Sequence, residues 1–196
     1  VCTNKNFTGS IRIRAIELDR ERRDLLWLAS NNGLYRFETG PGKFKCFAHD
    51  PKDPGSISSN QLSCLAWDTG DTLWVGTLDR GICRFSISGG TVRRFVHDPG
   101  DANSLSNNQC YFIHRGPLGN LWIGTYAGLT VYRPKSGKFE RYFTGPGHAN
   151  QSKIISVCRD WKNHLWFGSL GGGLFSVDPA GRDFKQYGKK EGLGNN

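Results

Sequence analysis

LWVGTLDRGICRF, residues 73–85, carries a tryptophan at Trp74, a glycine two residues on at Gly76, a second glycine at Gly81 and an aromatic at Phe85. The phrase returns three more times, as LWLASNNGLYRF at 26–37, LWIGTYAGLTVY at 121–132 and LWFGSLGGGLFS at 165–176. Its tryptophans, Trp27, Trp74, Trp122 and Trp166, are spaced by 47, 48 and 44 residues. Self-similarity at such a period marks a propeller or a helical array. A helical array needs apolar residues at a period of about 3.6 and few glycines. Neither is present, and the chain holds 26 glycines in 196 residues.

Each repeat instead divides into four short strands separated by turn formers. In the second, NQLSCLAWD (60–68) is an apolar run suited to a strand buried on both faces, and TGD (69–71) is a turn. TLWVGT (72–77) is the next strand, LDRG (78–81) a connection and ICRFSI (82–87) the third strand. After SGG (88–90), TVRRFV (91–96) alternates polar and apolar, as a half-exposed outer strand does. The other repeats place strands near 11–18, 25–30, 34–38 and 43–47; near 109–115, 121–125, 129–133 and 138–143; and near 153–160, 165–169, 173–177 and 183–187. The fold class is therefore all-β: four tandem four-stranded antiparallel units, the blades of a β-propeller. One propeller region covers 1–196, with blades at about 10–48, 60–97, 108–144 and 152–188.

The repeated letters are read as scaffold. A flat tryptophan in the second strand fills the wedge between sheets, and burying such a ring contributes roughly 2–3 kcal/mol. Gly76, Gly124 and Gly168 leave room for a close neighbour, with Ala29 at that place in the first repeat. Gly33, Gly81, Gly128 and Gly173 suit a tight connection with positive φ. Phe37, Phe85 and Tyr132 end the third strand as packing aromatics, and Ser176 is taken as their counterpart in the fourth repeat.

Composition narrows the function classes. The net charge of +9 is scattered, without a basic helix or a five-residue basic run, so nucleic acid is not expected as a partner. No window approaches 18 apolar residues, so no membrane contact by this segment is expected. The opening VCTNKNFTGS is polar and lacks an initiator Met, so the chain reads as a piece of something longer. The six cysteines show no C-x-x-C spacing, which argues against zinc. Five lie inside strands and stand either as small apolar side chains or as one or two disulfides.

Specific function belongs to letters that do not repeat. In a propeller the second-to-third and fourth-to-first strand connections share one face. The second-to-third connections vary most: Asn31 and Asn32; Asp79 and Arg80; Tyr126; and the glycines at 171–172. A tyrosine platform, amides and an Asp/Arg pair suit a sugar, through stacking and hydrogen bonds. Asn31, Asn32, Asp79, Arg80 and Tyr126 are therefore the candidate ligand-binding residues. His49 and His97 occupy matching F-x-H-D-P positions beside Asp50, Asp53, Asp98 and Asp101. Carboxylates so clustered suit a calcium loop or turn capping, and the lack of EF-type spacing favours capping. No catalytic residue, metal ligand or cofactor is assigned: G-x-S-x-G, H-E-x-x-H and a phosphate loop leading into a helix are all missing. A propeller glycosidase needs paired carboxylates, and Asp79 is a single one.

The pieces LWVGTLDRGICRF, LWIGTYAGLTVYRPKSGKFERY, LWFGSLGGGLFSVDP, FAHDPKDPGSISSNQL and FVHDPGDANSLSNNQ together resemble the two-component regulator propeller repeat, over roughly residues 10–196. The resemblance implies blades of four antiparallel strands belonging to a larger ring of about seven. It also implies the periplasmic sensing half of a hybrid two-component receptor in a polysaccharide-degrading bacterium. Such receptors continue into a further β domain, a membrane helix and a kinase, none of which lies in these residues. The expected function is a non-enzymatic ligand-sensing or interaction module, periplasmic, that responds to a glycan. Expected partners are an oligosaccharide and a second copy, as a homodimer through propeller surfaces, because an open arc of blades leaves an apolar face bare at each end. The alternative is a glycan hydrolase or lyase on a propeller scaffold.

Overall fold

The structure, a computed structural model, describes residues 10–144 and 153–194. Among the described residues sixteen strands form four sheets of four. Sheet 1 holds β1 (Ile13–Leu18), β2 (Leu25–Ser30), β3 (Gly33–Glu38) and β4 (Lys43–Phe47). Sheet 2 holds β5 (Leu62–Trp67), β6 (Thr72–Thr77), β7 (Ile82–Ser86) and β8 (Val92–Phe95). Sheet 3 holds β9 (Cys110–Arg115), β10 (Leu121–Thr125), β11 (Gly128–Arg133) and β12 (Lys138–Tyr142). Sheet 4 holds β13 (Lys153–Arg159), β14 (Leu165–Leu170), β15 (Gly173–Val177) and β16 (Phe184–Tyr187), with a 3-10 turn at Lys189–Glu191 after it. Every sheet is an antiparallel meander in chain order, the form of a propeller-like blade. The chain divides into two compact units, Val1–Phe95 with sheets 1 and 2, and Val96–Asn196 with sheets 3 and 4.

Burial falls from the first strands of a sheet to its last. β5 and β6 are buried at every position, whereas the two central residues of β8, Arg93 and Arg94, are exposed. This is why β5 reads as a continuous apolar run and β8 alternates. The glycines that open the third strands, or in β7 just precede it, all have positive φ: Gly33 at 101°, Gly81 at 71°, Gly128 at 116° and Gly173 at 78°. A side chain at Gly128 would also sit 2.6 Å from the Tyr142 carbonyl oxygen. Gly124 answers to crowding instead, since a Cβ there would run into the Phe112 ring and lie 2.5 Å from the Ile154 carbonyl.

Each unit has its own apolar core. In the first, fully buried Trp27 points from sheet 1 into sheet 2, its ring 6.0 Å from that of Phe85 and 5.8 Å from that of Phe47. Leu65, Leu73, Val75 and Cys83 of sheet 2 complete that layer. In the second, Trp122 points from sheet 3 into sheet 4, 5.4 Å from Phe167 and 6.2 Å from Phe184. The wedge role read from the repeat thus holds for both. Trp166 differs, because it is only half-buried and rests against Tyr187 of its own sheet at 5.5 Å.

Register corrects one reading. Leu26 pairs with Phe37, Leu73 with Phe85 and Leu121 with Tyr132, but Leu165 pairs with Val177. The counterpart of the packing aromatics in sheet 4 is therefore Val177, not Ser176. Ser176 pairs with Trp166 and lies on the opposite face, because a one-residue slip inverts a strand.

The fourth-to-first connections β4–β5 and β8–β9 are built alike. His49 Nδ1 meets the Ile57 carbonyl at 2.8 Å and its backbone N–H donates to Asn60 Oδ1 at 2.7 Å. His97 repeats both contacts with Leu105 at 2.6 Å and Asn108 at 2.7 Å. An arginine on the outer strand closes each loop. Arg94 donates to the carbonyls of Ser56 and Asp53, and Arg141 to those of Ser104, Asp98 and Asp101.

Candidate functional site

A hydroxyl at the end of each second strand, or one residue before it in β14, ties down the connection that follows. Ser30, Thr77, Thr125 and Ser169 each donate to the carbonyl of the glycine opening the third strand, at 2.8, 2.9, 2.9 and 3.0 Å. Each also accepts a backbone N–H from inside the connection, from Asn32, Arg80, Ala127 and Gly172 respectively. The residues between are thus presented on a fixed loop. The fifth letter of the phrase, always Ser or Thr, was the sequence signal for this clasp.

Within the first unit these loops carry Asn31, Asn32, Asp79 and Arg80. Asn31 is spent on the fold: its Oδ1 accepts from Arg12 N–H at 2.8 Å and its Nδ2 donates to the Ser10 carbonyl at 3.1 Å. Its own carbonyl accepts from Gln61 Nε2 at 3.1 Å. Asn32 is buried and donates through Nδ2 to the Tyr35 hydroxyl at 3.1 Å. Asp79 and Arg80 are exposed, and neither side chain makes a hydrogen bond or ion pair with another described residue.

Within the second unit Tyr126 is 43% exposed, and its backbone N–H donates to the Gln109 carbonyl at 3.0 Å. Lys153 Nζ lies 4.5 Å from the centre of its ring, a cation–π contact. Tyr111 is the third member: burial raises its phenol, Lys153 acts to lower it and Tyr126 to raise it. Lys153 opens β13 and is paired in register with Leu170, which is 54% exposed. Two phenols, an ammonium and an apolar side chain thus share one end of this unit. Tyr111 and Lys153 escaped the sequence reading because they stand on first strands, where nothing in the repeat separates loop-end positions from core.

The carboxylates of the long connections are turn caps. Asp50, Asp53, Asp98 and Asp101 accept through Oδ1 from the N–H groups of Lys52, Gly55, Gly100 and Asn103, at 2.8 to 2.9 Å. Among the described residues no group of three or more His, Cys, Asp or Glu side chains is placed to hold a metal ion. The thiols of Cys64, Cys83 and Cys158 are free. Burial pushes Cys64 up to about 12, against weaker help from Ser63 and Gly76, so it serves as packing.

At the opposite end of the strands, the first unit has a cavity of about 170 Å³ lined by Arg20, Arg22, Arg36, Trp27, Trp67 and Asp19 among others. Its walls are already engaged. Asp19 accepts from Trp27 Nε1 at 2.9 Å, and Arg20 donates to the Asp68 carbonyl at 2.7 Å while its guanidinium lies 5.5 Å from the Trp67 ring.

No protein-family model and no curated protein matches the chain. Solved structures do. The extracellular domain of BT3049 from B. thetaiotaomicron, described as a hybrid two-component system, gives a TM-score of 0.73 at 20% identity, over 89% of this chain and 24% of that one. The extracellular domain of BT4673 from the same organism, described likewise, gives 0.70 at 26% identity, over 89% and 22%. Virginiamycin B lyase from Staphylococcus aureus gives 0.64 at 16% identity, over 89% and 55%. The chain spans about a quarter of the length of the two sensor domains. These likenesses give a β-propeller-like fold, and the first two match the two-component regulator propeller resemblance carried by the repeated phrase. Among the described residues no helix is long and apolar enough to cross a membrane.

Proposed function

We propose that the chain is a non-enzymatic ligand-sensing module from the extracytoplasmic, periplasmic part of a two-component sensor. Its four sheets are blades of a larger propeller of about seven. The observation that carries this reading is the structural likeness to the extracellular domains of BT3049 and BT4673, over 89% of the chain in both cases. The ligand is an oligosaccharide. On the second unit Tyr126 supplies a stacking face, with Tyr111 and Lys153 beside it as hydrogen-bond donors. On the first unit Asp79 and Arg80 offer an uncommitted acceptor and donor. Asn31 and Asn32 hold their loop in shape.

Calorimetry against an oligosaccharide panel tests the reading. Tyr126→Ala should weaken binding of whichever glycan binds by about tenfold or more, equal to about 1.4 kcal/mol. Trp161→Ala is the control, since Trp161 is 86% exposed on the β13–β14 turn at the other end of the strands. Loss of binding in the control, with Tyr126→Ala unaffected, would sink the assignment.

A second reading, a hydrolase or lyase on the same scaffold, draws on the likeness to virginiamycin B lyase. It requires a second carboxylate facing Asp79, and Asp79 is the sole acid in the second-to-third strand connections.

A further inference from the structure

Every first strand carries a β-bulge at the same place. In sheet 1 Ile13 pairs with Ser30 and Ala15 with Ala29, so Arg14 has no partner in the ladder. Ser63 is skipped likewise between Leu62 and Cys64, Tyr111 between Cys110 and Phe112, and Ile155 between Ile154 and Ser156. The residue before each bulge pairs with the hydroxyl residue that clasps the neighbouring connection, Ser30, Thr77, Thr125 or Ser169. The bulge therefore lies at the same end of the strands as the second-to-third connections. A bulge leaves one residue unpaired and re-aims its side chain. Here the bulge repeats and the residue it carries does not: arginine, serine, tyrosine and isoleucine stand at the four places. The scaffold fixes the position and leaves its chemistry free.

In the second unit the bulge takes Tyr111 out of the ladder and brings it close to Lys153 and Tyr126. Burial raises the Tyr111 phenol, Lys153 acts to lower it and Tyr126 to raise it, so both groups lie within electrostatic reach of it. Lys153 Nζ is 4.5 Å from the centre of the Tyr126 ring, and that residue is still 43% exposed. The Lys153 ammonium forms no ion pair or hydrogen bond with another described residue. Every acidic side chain of the unit is engaged elsewhere: Glu140 and Asp183 in ion pairs, and the rest as caps on backbone N–H groups. The ammonium thus has no counter-ion within its unit. An ammonium and a phenol both donate, and toward an anionic oxygen such bonds are charge-assisted. The adjoining aromatic ring offers a sugar its apolar face.

We propose that Tyr111, delivered by its bulge, and Lys153 form a subsite for the acidic group of an oligosaccharide, a carboxylate or a sulfate, on a sugar that stacks on Tyr126. The inference rests on the oligosaccharide reading and narrows it to charged sugars.

Calorimetry of the 196-residue chain against two matched pairs of probes provides the test. One pair is tetragalacturonate and its methyl ester, and the other is a sulfated galactan tetrasaccharide and its desulfated form. The wild type should bind at least one charged probe about tenfold or more tighter than its neutral partner, and the pair that shows this tells carboxylate from sulfate. Lys153→Gln should bring that ratio to about one, whereas Lys153→Arg should keep it. Tyr111→Phe, which retains the ring and loses only the donor, should reduce it. Near-ultraviolet circular dichroism checks that each variant keeps the native fold. Equal binding of charged and neutral partners by the wild type, or a preference that survives Lys153→Gln, overturns the subsite and leaves oligosaccharide sensing standing. Failure of all four probes to bind also overturns the subsite, and the oligosaccharide reading falls with it only if the wider panel is silent too.

Discussion

Asp160 closes the turn between β13 and β14 almost alone. Its carboxylate accepts from Trp166 Nε1 at 3.0 Å, from the His164 ring at 3.0 Å and from the backbone N–H groups of His164 and Lys162 at 2.8 and 2.9 Å. Desolvation pushes this carboxyl up, but the hydrogen bonds from Trp166 and His164 outweigh it and hold it at about 2, below the ordinary 3.8. A carboxyl lowered in the folded state stabilises fully above its unfolded value, and that stabilisation disappears as pH falls through about 2. Asp160→Asn should therefore lower the urea midpoint at neutral pH and leave it near the wild-type value at pH about 2. A difference that persists undiminished in acid would show that geometry rather than charge does the stabilising. Asp19 plays the same part for Trp27. Neither aspartate was legible in the repeat, because the distance from aspartate to tryptophan differs, eight residues in one case and six in the other. The phrase glycines were legible, since positive φ and a missing Cβ are properties of glycine itself.

At the scale of strands and sheets, the tryptophan wedge carries the largest single consequence. Trp122→Ala should cost about 3–5 kcal/mol in urea denaturation, because the cavity it leaves between sheets 3 and 4 cannot close. Trp166→Ala should cost less, as its ring has no second sheet over it among the described residues. Equal losses would mean that the wedge is not the source of the stability. Arg141 is the second case: one guanidinium holds three carbonyls of the 97–108 connection. Arg141→Met should speed amide exchange at 98–105 while the sheets keep their protection, and uniform exchange would contradict a local clasp. Strand positions were readable to within two residues, and the misses have causes. The first strand, expected from 11, starts at Ile13 because the Arg12 N–H goes to the Asn31 side chain rather than to a backbone carbonyl, although the Arg12 carbonyl still accepts the Asn31 N–H. The Ser176 error arose because the second-to-third connection of sheet 4 is one residue longer than those of sheets 1 and 3, which moves the partner of the leucine before the tryptophan one place further along β15.

Across the whole molecule, the repeat period was enough to place four sheets but silent on their grouping into two units, since every repeat carries the same scaffold letters. The candidate surface was legible only in outline. Connection letters pointed to Tyr126, Asp79 and Arg80, whereas Asn31 and Asn32 carry the same polar signal and are used internally. Polar residues on a loop look alike in sequence whether they face solvent or the loop's own backbone. The pattern of the strands carries one more meaning. Among the described residues every hydrogen-bonded strand pair joins neighbours along the chain, and no ladder passes from one repeat into the next. A genetic crossover between two equivalent connections would add or delete one whole sheet and leave all remaining ladders intact. Copy number is thus an inheritable variable of this architecture, open to change by recombination without the invention of a single new residue.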